Sequence, residues 1–222
     1  MDWPALALSL RLGAATVLIL LPLGILAGRL LAFREFRGKG FVEALFALPL
    51  VLPPTVLGYY LLVASSGNSP LGEAWQSVWG RSLVFSFEGL ILASVIVNIP
   101  FAVQPMQRGF EAIQPDVREA GACSGLTPLQ VFWKIELPLA WPGIVTGMVL
   151  AFAHTLGEFG VVLMVGGSIP GETKTIAIAI YDRVQAFDNP AAGLMSAVLL
   201  ALSVVALGLT YVLSRRVGRR HG

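Results

Sequence analysis

Long apolar runs alternate with short polar segments along this chain of 222 residues. A transmembrane helix needs about 20 consecutive and largely apolar residues. No internal repeat, low-complexity tract or linker divides the sequence into separate units. The pattern therefore predicts an all-α polytopic membrane protein with about five transmembrane helices, folded as a single membrane domain over residues 1–222. The five segments that meet the length requirement lie at about 9–32, 41–64, 89–106, 139–163 and 193–214.

Three shorter segments lie between the predicted spans. Trp75 and Trp79 are separated by about one helical turn, which predicts a short interfacial helix with an aromatic anchor. The apolar run 176–181 is too short to cross a membrane, so we expect a re-entrant or interfacial piece there. The turn-rich stretch 166–175 is either a docking loop for an external delivery protein or an ordinary solvated turn.

Composition and charge agree with a membrane location. Hydrophobic residues make up 56% of the chain and charged residues 13%, whereas soluble domains carry about 25% charge. The net charge of +2 is too small to suggest a nucleic-acid partner. Because cationic residues favour the cytoplasmic side, the charge pattern predicts an N-terminus outside and a C-terminus in the cytoplasm. The cations that follow the first, third and last spans are Arg29, Arg34, Arg37, Lys39, Arg108, Arg118, Lys134, Arg215, Arg216, Arg219 and Arg220; the opposite loops hold Arg81, Lys174 and Arg183.

A polar segment between the third and fourth spans contains signals for two short helices. Pro115 suits a first helical position, and Asp116 and Glu119 place negative charge near the positive end of the helix dipole. Gly125 can supply a left-handed stop. The stretch 127–130 (Thr-Pro-Leu-Gln) then has an N-cap, a proline at the first position and a capping glutamine, so a second helix starts at once. We expect a compact knob with a glycine elbow that fits a groove on a partner.

The second predicted span is interrupted by prolines. Pro49, Pro53 and Pro54 lie within six residues, and each removes an amide donor from the helix. Lipid tolerates such backbone only where protein or a water-filled path satisfies the freed carbonyls. The prolines therefore predict a helix that bends or opens, either to line a pathway or to pack against its neighbours.

The fourth predicted span contains two ionisable residues, His154 and Glu158, at a spacing that allows them to pair on one helix face. Ionisable side chains in a span often mark a pathway. Two interpretations remain open here. The two residues either cap a helix end and pair with each other near the membrane surface, or they act in the outer mouth of a pathway. Glu158 is a poor direct ligand for an anionic substrate, because a carboxylate repels one. An intramembrane enzyme with these two residues as an acid–base pair is a further alternative.

Several sequence features of enzymes are missing. The chain has no phosphate-binding loop of the type Gly-x4-Gly-Lys-Ser/Thr, so it cannot supply a standard ATPase site of its own. Its two histidines (His154 and His221) and one cysteine (Cys123) do not indicate a dedicated metal site. We expect neither a cofactor nor catalytic activity in this chain.

The knob closely resembles the EAA loop of ABC-importer permeases. Glu119, Ala120 and Gly121 are followed by three residues and Gly125. After nine intervening residues come Ile135, one further residue, Leu137 and Pro138. The resemblance implies that the loop at about 108–138 docks on ATP-binding subunits. The knob would contain Glu119, Ala120, Gly121 and Gly125. The hinge to the fourth span would consist of Ile135, Leu137 and Pro138. Gly121 departs from the alanine of the motif, which is expected to loosen the helix by about 1 kcal/mol.

The rest of the chain resembles the molybdate ABC transporter permease family. The likeness lies in segments 48–54, 58–59, 156–160 and 169–173. It implies a type I ABC-importer permease fold in the cell inner membrane, surrounded by lipid, and a permease homodimer joined to two ATP-binding subunits. It also implies alternating access and a periplasmic or extracellular molybdate-binding protein as partner. Tungstate, sulfate or thiosulfate import is the alternative within this class, and a passive channel is an alternative outside it.

Overall fold

The chain is all-helical in a computed structural model, which describes residues 1–218 and, of their side chains, those of residues 1–208. Arg219, Arg220 and His221, which enter the sequence predictions, lie outside the described residues. The elements are α1 (Trp3–Phe33), α2 (Lys39–Val51), α3 (Pro54–Ser65), α4 (Pro70–Trp79), α5 (Phe87–Glu111), α6 (Pro115–Cys123), α7 (Pro128–Val131), a π-helix (Phe132–Glu136), α8 (Leu137–Gly157), α9 (Gly160–Gly166), α10 (Ile176–Gln185) and α11 (Asn189–Gly218).

Four helical stretches within the described residues are long and apolar enough to cross a membrane: α1, α5, the continuous stretch Pro128–Gly157, and α11. The pair α2 and α3 makes a fifth crossing if it is one broken span. All five predicted segments are therefore found as helices. The second and fourth predicted segments are interrupted, and these two interruptions shape the candidate site.

The second segment bends by 110° between α2 and α3, which confirms the prediction that its prolines bend or open the helix. The break falls at Leu52 and Pro53, whose backbones are extended. Proline disfavours the helical conformation in the residue before it, so Pro53 ends α2 at Val51. Pro54 then occupies the first position of α3, where its missing N–H is not needed.

The fourth segment was predicted as one helix over 139–163, and this is wrong at its end. Helix α8 stops at Gly157, Glu158 is extended (φ −68°, ψ 130°), and α9 starts at Gly160. The carboxylate of Glu158 accepts the N–H of Val161 at 2.9 Å and so caps α9. The apolar pattern continues across this break, which is why hydropathy alone did not indicate it.

Helices α1, α5 and α8 pack together as the centre of the bundle. Their shared core contains Leu20, Met106, Phe110 and Ile144, all buried. Glycine allows close approach of these helices: a Cβ added to Gly28 of α1 would lie 2.8 Å from the backbone nitrogen of Gln107 in α5. Small residues at helix contacts are the usual way in which membrane helices come close enough to gain dispersion energy.

The shorter helices occupy the edges of this centre. The predicted helix at Trp75 and Trp79 is α4, where the two indole rings stack at 5.3 Å. The apolar run 176–181 forms most of α10, and its Ile176 and Ala179 are buried with Ala5, Leu6 and Met195. Its hydrophobicity is therefore explained by packing on α1 and α11. In the turn-rich stretch, residues 168–172 are exposed, and both ends of the stretch are buried.

Candidate functional site

The first half of the knob is α6 and its glycine elbow. Gly125 has φ +81°, in the left-handed region, as the sequence predicted. The Leu126 N–H donates to the Gly121 carbonyl at 3.2 Å, and the Gly125 N–H donates to the Ala122 carbonyl at 3.0 Å. These two bonds are the Schellman arrangement that satisfies the last carbonyls of a helix. No atom lies within 4 Å of a Cβ added to Gly125, so backbone conformation rather than space favours glycine there.

The second half of the knob begins with the predicted capping box. The Thr127 N–H donates to Gln130 Oε1 at 2.9 Å, and the Gln130 N–H donates to Thr127 Oγ1 at 3.3 Å. The predicted short second helix is wrong in its length, because α7 continues through the π-helix into α8 without a break. Ile135 lies in that π-helix, and Leu137 and Pro138 open α8, so the proposed hinge is continuous helix.

The surface of the knob combines polar and apolar groups. Glu119, Ala120 and Gly125 are exposed. Leu129 and Trp133, in the second half of the knob, are 66% and 59% exposed. Exposed large apolar side chains of this kind form a surface suited to another protein.

Gly121, where the motif has alanine, is buried instead of exposed. A Cβ added there would overlap Cδ1 of Ile135 in the π-helix. The missing side chain therefore lets α6 approach the π-helix closely. Packing against Ile135 accounts for this departure from the motif, and it places two of the predicted coupling residues in direct contact.

The sequence analysis missed the charged group beneath the knob. Glu136 is completely buried, and its carboxylate accepts Arg29 Nε at 2.5 Å and Arg118 Nε at 2.9 Å. From the sequence alone, the two arginines serve only as topology signals. A lone carboxylate at the start of an apolar span was the available signal, because such a charge needs a buried partner.

A cavity of about 190 Å³ lies at the broken second and fourth spans. It brings together Pro49, Pro54, His154 and Glu158 from the predicted pathway residues, while Pro53 forms the adjacent break without lining it. The remaining lining residues are Leu50, Leu52, Leu57, Val97, Phe101 and Val161.

A polar chain leads from α5 to this cavity. Asn98 is fully buried, and the sequence analysis missed it as well. Its Nδ2 donates to Thr155 Oγ1 at 3.1 Å and to the Ser94 carbonyl at 2.8 Å. Its Oδ1 therefore faces His154 Nδ1, at 3.1 Å, and accepts a hydrogen bond in the tautomer that carries the hydrogen on Nδ1. The other ring nitrogen, Nε2, is left 3.8 Å from a carboxylate oxygen of Glu158. This separation is longer than a hydrogen bond, so the two residues are neighbours that form an ion pair only when the imidazole is protonated.

Both interpretations that the sequence left open remain predictions. Glu158 caps α9 and lies 3.8 Å from His154, and both residues line the cavity. Phe101 stacks on the imidazole at 4.1 Å and holds it against the wall. His154 and Glu158 are the ionisable members of the lining, so the cavity has a carboxylate and no arginine or lysine. A carboxylate without a neighbouring cation repels anions, so this wall is unsuited to holding an anion tightly.

Comparison with known proteins gives relatives that match along most of this chain. The molybdenum transport system permease protein ModB of Azotobacter vinelandii is 42% identical over 95% of this chain and 93% of its own length. The protein of the same name from Escherichia coli K12 is 36% identical over 100% of this chain and 97% of its length. The sulfate transport system permease protein CysT of E. coli K12 is 35% identical over 89% of this chain and 71% of its length.

Solved structures share the fold at lower identity. A chain of a bacterial ABC transporter involved in import of the acidic polysaccharide alginate matches with a TM-score of 0.71 and 18% identity, over 96% of this chain and 78% of that one. A chain of the MetNI methionine ABC transporter in an inward-facing conformation matches with a TM-score of 0.70 and 19% identity, over 97% and 94%. The helical arrangement is therefore shared with these chains of ABC transporters.

The family description covers most of the sequence. The profile of the binding-protein-dependent transport system inner membrane component matches residues 21–219. Together with the relatives at 36–42% identity, this match shows a multi-pass membrane permease. The chain belongs to the family of binding-protein-dependent transport system inner membrane components.

Proposed function

We propose that this chain is the membrane-spanning permease subunit of an ATP-driven importer for molybdate. The observation that carries the proposal is the likeness to molybdenum transport permeases along essentially the whole chain, at 42% and 36% identity. ATP hydrolysis belongs to separate ATP-binding subunits in this proposal. An external molybdate-binding protein, periplasmic or extracellular, delivers the substrate.

The knob is the proposed docking element for the ATP-binding subunits. Glu119, Ala120 and Gly125 contribute to its exposed surface, together with the exposed Leu129 and Trp133. The buried contact of Gly121 with the π-helix then links docking to α8. In this arrangement Ile135, Leu137 and Pro138 transmit the movement along the start of the fourth span. The knob and the C-terminus face the cytoplasm, and the N-terminus faces outward.

The cavity at Pro49, Pro54, His154 and Glu158 is the proposed part of the translocation pathway. A homodimer encloses it in this proposal, because α2 contributes no buried residue of its own and exposes Phe41, at 74%, to a second copy or to lipid. Rocking of two such subunits about the broken helices opens the path alternately to each side. The exposed loop 168–172 is the proposed contact for the external binding protein.

Sulfate import is a second candidate, since a sulfate permease is 35% identical over 89% of this chain. That relative is matched over only 71% of its length, against 93% and 97% for the molybdenum permeases. The molybdate assignment is therefore favoured. Tetrahedral dianions differ little in shape. Tungstate and thiosulfate should therefore be included as competitors in the uptake experiment described next.

Uptake of labelled molybdate in a strain lacking its own permease tests the function. We expect this chain with its cognate partners to restore molybdate uptake, and excess unlabelled sulfate to compete weakly. Restored sulfate uptake without molybdate uptake would contradict the substrate. Uptake that persists without any ATP-binding subunit would indicate a passive channel. Co-purification of an ATP-binding subunit with the chain tests the docking proposal separately.

A further inference from the structure

Three elements meet at the buried carboxylate of Glu136. Arg29 comes from the last third of α1, Arg118 from α6 in the knob, and Glu136 from the end of the π-helix. Glu136 has no exposed surface, while the two guanidinium side chains are 36% and 33% exposed. Arg29 also contacts the second carboxylate oxygen at 3.3 Å, so it binds in a two-pronged manner. We call these three residues the Glu136 cluster.

The π-helix accounts for the position of the carboxylate. The Leu137 N–H bonds to the Phe132 carbonyl, five residues earlier, where an α-helix would use a carbonyl four residues earlier. The extra residue in this turn changes the direction of the side chains on either side of it. Single π turns inside α-helices are rare and occur frequently at functional sites. Here the turn lies at the junction between the knob and α8.

Aromatic rings hold the two arginines in place. The guanidinium of Arg118 lies 3.7 Å from the centre of the Phe33 ring at the end of α1. The guanidinium of Arg29 lies 5.4 Å from the ring of Phe132 in the π-helix. Arg118 therefore contacts α1 through Phe33 as well as the π-helix through Glu136, whereas Phe132 and Glu136, the partners of Arg29, both lie in the π-helix. Planar guanidinium groups suit such combined stacking and ion pairing, which a lysine does not reproduce.

We propose that Glu136 is a positioning residue that passes movement of the knob directly to α1 and α8. This inference rests on the proposed function of the knob. Contacts such as that of Gly121 with Ile135 link α6 only to its sequence neighbours. The Glu136 cluster adds a link to α1, which lies in the centre of the bundle. When the ATP-binding subunits displace α6, the shared carboxylate makes α1 and α8 move with it.

The charges of the cluster allow a test in which folding is retained. Two arginines share one carboxylate, so Arg118→Gln leaves Glu136 paired with Arg29, and Arg29→Gln leaves it paired with Arg118. Neither variant creates an unpaired buried carboxylate, which is the costly case. The matched control is Lys39→Gln, which also removes one positive charge but breaks an exposed pair with Glu35 at 2.7 Å.

The experiment measures ATP hydrolysis and labelled molybdate uptake together, in proteoliposomes that contain the complete complex with its cognate partners. Coupling between two sites typically corresponds to 5–150-fold effects, so we expect Arg118→Gln and Arg29→Gln each to lower uptake per ATP hydrolysed about tenfold. Membrane abundance and association with the ATP-binding subunit should stay at the wild-type level. Arg118→Lys should recover only part of the loss, and Lys39→Gln should match the wild type.

Two results are decisive against this inference. If uptake per ATP is unchanged in both arginine variants while the thermal midpoint falls, the cluster only stabilises the fold. If Lys39→Gln lowers the ratio as much as Arg118→Gln, the effect comes from total charge and not from the shared carboxylate. The wild-type complex separately tests the proposed function, because absence of ATP-dependent uptake there would overturn that proposal before any variant is compared.

Discussion

The knob and the cavity are both interruptions of helices, yet they are held in different ways. In the knob, the bonds that end one helix and begin the next join near neighbours, such as Leu126 with Gly121 and Thr127 with Gln130. At the cavity, the partners are distant in sequence. His154 contacts Asn98, which is 56 residues away, and Pro54 packs against Gly160 from another broken span.

This difference separates what each region contributes. A locally capped loop holds its own turns in shape, and the Glu136 cluster connects it to the bundle, which suits a surface that another protein moves. The helix breaks at the cavity are held by contacts between residues far apart in sequence. They therefore belong to the core and form only when the spans are assembled. Changes in the knob should therefore impair coupling with little loss of stability, whereas changes at the cavity should first impair folding.

The largest effect is expected for Gly58→Val in α3. A Cβ on this buried glycine would lie 2.8 Å from Met164 Cβ and 3.2 Å from Val161 Cα in α9. Overpacking of this kind costs about 1–3 kcal/mol. We expect lower membrane abundance and a lower thermal midpoint in detergent. Gly193→Val in α11 is the control, because nothing lies within 4 Å of its added Cβ. Equal stability of the two variants would mean that α3 and α9 are not tightly packed.

The second prediction concerns Gly125→Val in the knob. A side chain with Cβ disfavours the left-handed backbone by about 1–2 kcal/mol, and β-branching should add to the distortion relative to Gly125→Ala. We expect the variant to insert and fold but to lose uptake by about tenfold, within the range of typical coupling effects. Membrane abundance and association with the ATP-binding subunit are measured alongside transport.

Gly80→Val is the matched control for that variant. Gly80 ends α4 with φ +67°, and it too has no atom within 4 Å of an added Cβ. The backbone strain is therefore similar, but it falls outside the knob. We expect transport by this control to stay near the wild-type level. Normal transport by Gly125→Val at normal abundance would remove the coupling role, and loss of the folded protein would show that the glycine is structural.

A third prediction separates the two roles of Glu158. Glu158→Gln keeps an oxygen that can accept the Val161 N–H, whereas Glu158→Ala removes the cap of α9. Loss of a cap costs about 1 kcal/mol, which lowers the midpoint by about 2–4 °C in a chain of this size. We expect that decrease for alanine only, with transport by the glutamine variant largely retained. Abolished transport by a stable glutamine variant would instead show that the carboxylate acts in the pathway.

The same contrast explains which features could be predicted from the sequence. Proline, glycine and capping residues act on their own neighbours in the chain. The elbow at Gly125, the capping box at Thr127 and the bend at Pro53 could therefore all be predicted from the sequence. The break at Glu158 was not, because the cap it forms depends on a side chain within an apolar stretch that otherwise continues as helix.

Residues whose partners are far away in sequence could not be identified. Asn98 and Glu136 are isolated polar residues in or beside apolar spans, and neither has a local pattern that indicates a role. Glu136 finds Arg29 across 107 residues, a pairing that only the assembled bundle brings about. A buried charge in an apolar setting predicts that a partner exists, but it does not identify that partner.

The smallest effect is expected for Gly121→Ala, which restores the residue of the motif. The added Cβ would overlap only Cδ1 of Ile135, the far end of a flexible side chain that can change rotamer. Alanine also favours the helix by about 1 kcal/mol relative to glycine, which offsets the rearrangement. We therefore expect near wild-type uptake and thermal midpoint.

Gly121→Val should lower the uptake and the thermal midpoint more than Gly121→Ala does, because Val131 Cγ2 and Leu126 Cδ1 already lie 3.6 and 3.7 Å from the first added carbon. Gly121→Ala could instead uncouple ATP hydrolysis from uptake while the thermal midpoint stays unchanged. That result would mean that the spacing between α6 and the π-helix sets coupling directly. The function of the knob would then depend on its contact with the π-helix as well as on its local caps.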